Sequence, residues 1–110
     1  MKSRESTAKI RQLVEALRPY RPECIYLFGS WAREEADELS DVDLVVIKHT
    51  SDPFFDRLRK VAELLPAEVG GVDLLVYTPE EFAAMRREGN AFAEMIAAEA
   101  RVLYGQPAAS

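Results

Sequence analysis

The segment CIYLFGSWAREEADELSDVDLVVI, residues 24–47, decides the fold. Its apolar run stops at Gly29-Ser30, yields to a polar stretch, and resumes after two aspartates. Asp43 has Val42 before it and four apolar residues after it, so a carboxylate sits inside what otherwise reads as a buried strand. The run bounded by Pro22 and Gly29 predicts a strand over 23–28, and the valine- and isoleucine-rich run predicts a second over 41–47. Between them Ser30 is placed to cap a short helix over 31–36.

Outward from this segment the punctuation is clear. Ile10, Leu13, Val14 and Leu17 recur at helical spacing and Pro19 ends the run, which predicts an amphipathic helix over 3–18. Asp52 as cap and Pro53 at the first position open another helix. Its apolar face is read as Phe54, Phe55, Leu58, Val61, Ala62 and Leu65, and Pro66 closes it. VDLLVY, residues 72–77, follows Gly70-Gly71 as a third strand. Thr78-Pro79-Glu80-Glu81 is a strong helix start, and Gly89 stops that helix after about Glu88. Asn90 caps a last helix over 91–100, and 101–104 reads as a short edge strand. The order predicts an α/β fold, with the helices packed mainly on one face of the sheet.

Side chains alternate across a strand, so Asp41 and Asp43 share a face, roughly 6.5–7 Å apart along the backbone. Val42, Leu44 and Val46 point the other way and can build core. Asp73 also interrupts an apolar run, and joins the first two if the strands are neighbours in register. Three ionised carboxylates on one face repel one another and resist desolvation. Protonation relieves this, and so does a divalent cation, since carboxylates with water and phosphate oxygens are the usual Mg²⁺ environment. On the pattern alone, a metal site and solvated strand positions both stay open. Gly29 lets backbone approach a ligand, Ser30 adds a hydroxyl, and Arg33 can add charge; an ordinary strand-to-helix turn is the plainer reading. No Walker lysine follows the glycine, and the dinucleotide and EF-hand patterns are absent.

Composition bounds the rest. The chain has 110 residues, 48% hydrophobic and 30% charged, which predicts one soluble globular domain over 1–110. A net charge of −5 argues against a nucleic-acid partner gripped through its phosphates. The single cysteine, Cys24, excludes an internal disulfide, and His49 is the only histidine, so one chain cannot build a Cys/His zinc site. No apolar run is long enough to span a bilayer and the N-terminus lacks a signal-peptide core; a cytoplasmic protein is expected. Cys24 reads as core filler, His49 as solvent-facing, and Glu80 and Glu81 as helix-start charges rather than ligands.

Gly29-Ser30, ten residues, then Asp41-Val42-Asp43 resembles the GS-x10-DxD signature of minimal nucleotidyltransferases of the DNA polymerase β-like superfamily. The likeness extends through YLFGSWAR (26–33), SDVDLVV (40–46), GGVDLLVYTPEEF (70–82) and EARVLYG (99–105). It implies a nucleotidyltransferase fold with a small mixed sheet. It also implies Mg²⁺-dependent transfer of a nucleoside monophosphate from a triphosphate such as ATP, with two Mg²⁺ ions held by Asp41, Asp43 and Asp73. Asp73 would also help deprotonate the acceptor hydroxyl, Gly29 and Ser30 would hold the triphosphate, and Arg33 matches the arginine that commonly follows. The chain departs from the pattern at Glu34, often glycine, and at Trp31, often small or basic; Trp31 reads as a packing residue. Minimal members resemble the antitoxin half of HEPN–MNT pairs, which adenylylate a tyrosine of the HEPN toxin. The resemblance therefore implies a helical HEPN partner, in a homo- or hetero-oligomer. Nucleotidylation of a small molecule and non-catalytic toxin binding are the competing readings.

Overall fold

The computed structural model describes residues 4–37 and 40–107. Four strands, β1 (Cys24–Phe28), β2 (Val42–Ile47), β3 (Val72–Tyr77) and β4 (Arg101–Gly105), form one sheet in the order β3-β2-β1-β4. Four helices accompany them: α1 (Arg4–Leu17), α2 (Phe54–Ala62), α3 (Pro79–Arg87) and α4 (Ala91–Glu99). The sheet is mixed. β1 runs antiparallel to β2 and to β4, while β2 and β3 are parallel and joined through α2.

The central strand explains the helix placement. Val42, Leu44 and Val46 enter a core with Leu13 and Leu17 of α1 and Val61 of α2. Val45 and Ile47 enter a second core with Phe82 of α3 and Ala93 and Ile96 of α4. A strand buried on both faces reads as a continuous apolar run, not an alternating one. The expectation that helices lie mainly on one face is thereby corrected: two helices cover each side. Cys24 is fully buried in the second core, and burial pushes its thiol up to about 11.

Three local expectations also change. Residues 31–36 form turns rather than a helix: the Ala32 and Arg33 N–H groups both donate to Gly29 O, and Glu34 then takes a left-handed φ of 60° that helix cannot continue. Asp52 does not cap α2; Pro53 occupies the cap position, and the Asp52 carboxylate accepts from Lys60 Nζ at 2.6 Å. Phe55 leaves the apolar face and is 76% exposed. The starts of α3 and α4 follow the sequence. Thr78 and Glu81 form a reciprocal capping box, and Asn90 Oδ1 accepts the Ala93 N–H at 2.9 Å.

Arg57, absent from the sequence reading, is 6% exposed and ties the layers together. Its guanidinium donates to both Glu81 carboxylate oxygens at 2.6 and 3.0 Å, to Asp52 O at 2.9 Å and to Val76 O at 3.2 Å. Every edge of the fork except one N–H direction is thus used, linking α2 to β3 and to the capping box of α3.

Candidate active site

The carboxylates gather where β1 ends and β2 and β3 begin. Parallel pairing sets Asp43 directly opposite Asp73, and antiparallel pairing sets Asp43 opposite Phe28, the residue before Gly29. Neighbouring strands lie about 4.8 Å apart, so two side chains on one face at matched register meet. Asp41 lies one residue before β2, outside the strand expected to contain it, and is exposed. Its register continues alongside β3: the Val42 N–H donates to Gly71 O at 3.1 Å.

The electrostatics follow from this crowding. The Asp43 carboxyl is raised above the usual carboxylate range, first by burial, then by the charge of Asp73 and a hydrogen bond with it, and also by Asp41. Arg33 opposes the shift. Asp43 is half-buried, whereas Asp73 opens to solvent. Crowding two carboxylates in this way disfavours the charged form of Asp43, a cost that nearby positive charge would offset.

The glycines shape the floor. Gly29 has a φ of 75°, and a Cβ there would overlap Asp43 Oδ2 and stand 3.2 Å from its Cγ. A side chain at 29 is therefore excluded twice, by backbone conformation and by the carboxylate. Ser30 is half-buried in the turn, and its carbonyl accepts the Glu35 N–H at 2.9 Å. Arg33 is exposed and turned to Glu35, its Nε donating to Oε1 at 2.8 Å. That hydrogen bond and the Glu35 charge raise the Arg33 pKa, with Glu99 at the end of α4 and Asp43 adding smaller contributions. Trp31 packs into the first core at 3% exposure and donates from Nε1 to Ser40 O at 3.1 Å, which is the packing role its sequence position suggests. Phe92 of α4 stacks edge-on against Phe28 at 5.3 Å and bounds the site beside β1.

The all-oxygen donor set suits a hard divalent cation, and the glycine notches leave the carboxylates room. Among the described residues no three carboxylate, imidazole or thiol groups are already gathered into a cage. Asp43 and Asp73 form a facing pair with Asp41 beside it, so remaining ligands would come from water and phosphate. A cleft of about 960 Å³, lined by Ile47, His49, Glu80 and Arg87, lies at the far end of the sheet and contains none of these aspartates.

Of the residues singled out from sequence, Asp43 and Asp73 meet across β2 and β3, and Gly29 abuts Asp43. Asp41 flanks the pair, while Arg33 bonds to Glu35 and reaches Asp43 only through its charge. From the sequence, Gly71 is assigned no site role and only precedes the third strand. Its signal was strand parity: Gly71 is two before Asp73 and so shares its face. Glu99 carried no such signal, because its approach to Arg33 depends on how α4 packs.

A family model described as polymerase beta, nucleotidyltransferase, matches residues 11–107. The chain belongs to this nucleotidyltransferase family. Among solved structures it is similar to a Sulfolobus solfataricus protein described as a nucleotidyltransferase, at 18% identity and a TM-score of 0.61, over 96% of this chain and 91% of that one. It is also similar to a toxin–antitoxin structure with AMP-PNP, at 22% identity and a TM-score of 0.63. A mutant of the toxin–antitoxin pair MntA–HpeT matches at 20% identity and a TM-score of 0.62. The match to each of these two covers 88% of this chain and 73% of the other. No relative matches among curated proteins. Among the described residues no helix is long and apolar enough to cross a membrane.

Proposed function

We propose that the chain transfers a nucleoside monophosphate, AMP from ATP, to a hydroxyl on a protein partner, and that the partner is a helical toxin of the HEPN type. The observation that carries this reading is the register pairing of Asp43 with Asp73 beside the Gly29 notch. Family membership supports transferase chemistry. The antitoxin role draws support from the two toxin–antitoxin structures of similar fold, one of which contains AMP-PNP.

Asp41, Asp43 and Asp73 are the residues that would hold Mg²⁺, two ions being the family's arrangement, and the metal would supply charge neutralisation at the triphosphate and at the departing oxygen. Gly29, bare at its Cα, lets backbone approach the phosphates, with the Ser30 hydroxyl beside it. Arg33 exchanges its exposed Glu35 partner for phosphate, a change that loses little because solvent screens an exposed ion pair. Asp73 faces solvent, where an acceptor arrives, and takes the acceptor's proton. The acceptor oxygen bonds to the α-phosphorus, the bond from that phosphorus to the α–β bridging oxygen breaks, and pyrophosphate leaves with the electron pair.

The test is an incubation of the chain with the product of the gene beside its own, ATP and Mg²⁺, read by intact mass. One or more adenylyl additions to the partner, absent with Asp43→Asn, are expected. An unmodified partner that the protein nevertheless binds and neutralises would replace enzymology with simple contact inhibition. Modification of an aminoglycoside-type small molecule instead would move the acceptor class.

A further inference from the structure

Gly71 precedes β3 and lies beside Asp41, as the Val42 N–H bond to its carbonyl shows. A Cβ at Gly71 would overlap Asp41 Oδ1 and stand 2.8 Å from Cγ, so the carboxylate rests on the bare Cα. The backbone does not explain the glycine. Positive φ occurs at Gly29, Gly70, Gly89 and Gly105 but not at Gly71, and the turn into β3 is made by Gly70 at φ 81°. The three atoms that a Cβ at 71 would meet first all belong to the Asp41 carboxylate.

We propose that Gly71 is a positioning residue whose missing side chain seats the Asp41 carboxylate beside the Asp43–Asp73 pair. This rests on the metal-dependent reading above and deepens it. Asp41 lies just outside β2 and is exposed, so its side chain is held less by packing than that of half-buried Asp43. The seat on Gly71 replaces that constraint. Because the displaced atoms are the end of an exposed side chain, an added methyl disturbs the site far more than the fold.

Three variants decide it: Gly71→Ala, Asp41→Ala and the double substitution. The readouts are Mn²⁺ affinity without nucleotide, from the EPR signal of free Mn²⁺, and the thermal midpoint. The expected result is Mn²⁺ affinity weakened about 10-fold or more by Gly71→Ala, the size seen when residues orienting metal ligands are removed. Its midpoint stays close to wild type. In the Asp41→Ala background the same methyl adds no further loss. Equal Mn²⁺ affinity in Gly71→Ala and wild type overturns the assignment. So does an equal further loss without the Asp41 carboxylate, or a fall in midpoint beyond about 8 °C, each of which makes Gly71 a residue of the fold. A wild-type chain that takes up no Mn²⁺ by itself, or unaffected binding by Gly71→Ala, overturns only this step, whereas no uptake even with a non-hydrolysable ATP analogue overturns the proposed function as well.

Discussion

Asp43 is penalised where it stands. Burial and the facing Asp73 both disfavour its charged form, so with chelator present the carboxylate weakens the fold it belongs to. Asp43→Asn is expected to raise the metal-free thermal midpoint by a few degrees while abolishing transfer, the usual opposition between site chemistry and stability. Differential scanning calorimetry in EDTA checks the first half. Asp73→Asn removes the proposed proton acceptor and should lower kcat by about 10²–10⁴-fold, measured by pyrophosphate release. Gly29→Ala should cost about 1–2 kcal/mol in a denaturant titration, because an alanine must hold a left-handed φ. Cys24, fully buried with its thiol pushed up to about 11, should react with a thiol reagent at neutral pH only after denaturant is added.

Individual elements show which sequence signals survive folding. β3 spans the residues its VDLLVY run predicts, and α3 begins where the capping-box pattern places it. These signals are local, so no distant partner overrides them. The helix expected over 31–36 fails because Trp31 is drawn into the first core and bonds Ser40, while Glu34 turns left-handed. The Arg57–Glu81 pair had no sequence signal, since it joins α2 to α3 across a separation of 24 residues. The Glu81 carboxyl is held below its usual range, first by the hydrogen bond from Arg57, with the Thr78 backbone helping and burial opposing. A depressed folded pKa contributes stability above the unfolded value of about 4.3 and loses it as pH falls through the lower folded value. Wild type should therefore melt above Glu81→Gln at pH 7, and the gap should close under acid. Glu81 is 45% exposed at its side chain, so solvent screens the pair and the gap should be modest. At the other extreme, Phe55→Ser, at a 76% exposed position, should shift stability by less than about 0.5 kcal/mol.

The α/β class follows from alternating strand and helix patterns and the mixed sheet from the family resemblance, and the structure bears both out. Helix distribution was not legible, because an apolar run such as Leu44–Val45–Val46–Ile47 looks alike whether one face or two is covered. The parallel pairing of β2 with β3 was likewise beyond a sequence reading, and it is what brings Asp43 to Asp73. Leu44→Ala, in the centre of β2 and fully buried, should cost about 2–5 kcal/mol by chemical denaturation, with the site geometry lost only as the sheet unfolds.

Neighbouring strands bring two acidic side chains face to face, and on the proposed reading they take positive charge carried in with a triphosphate. Calorimetric titration of ATP into the protein, with Mg²⁺ and then with EDTA, measures this directly. Saturable heat in Mg²⁺ that disappears in EDTA and in Asp43→Asn is the predicted result. No heat in Mg²⁺, or ATP uptake indifferent to both chelator and substitution, would contradict it.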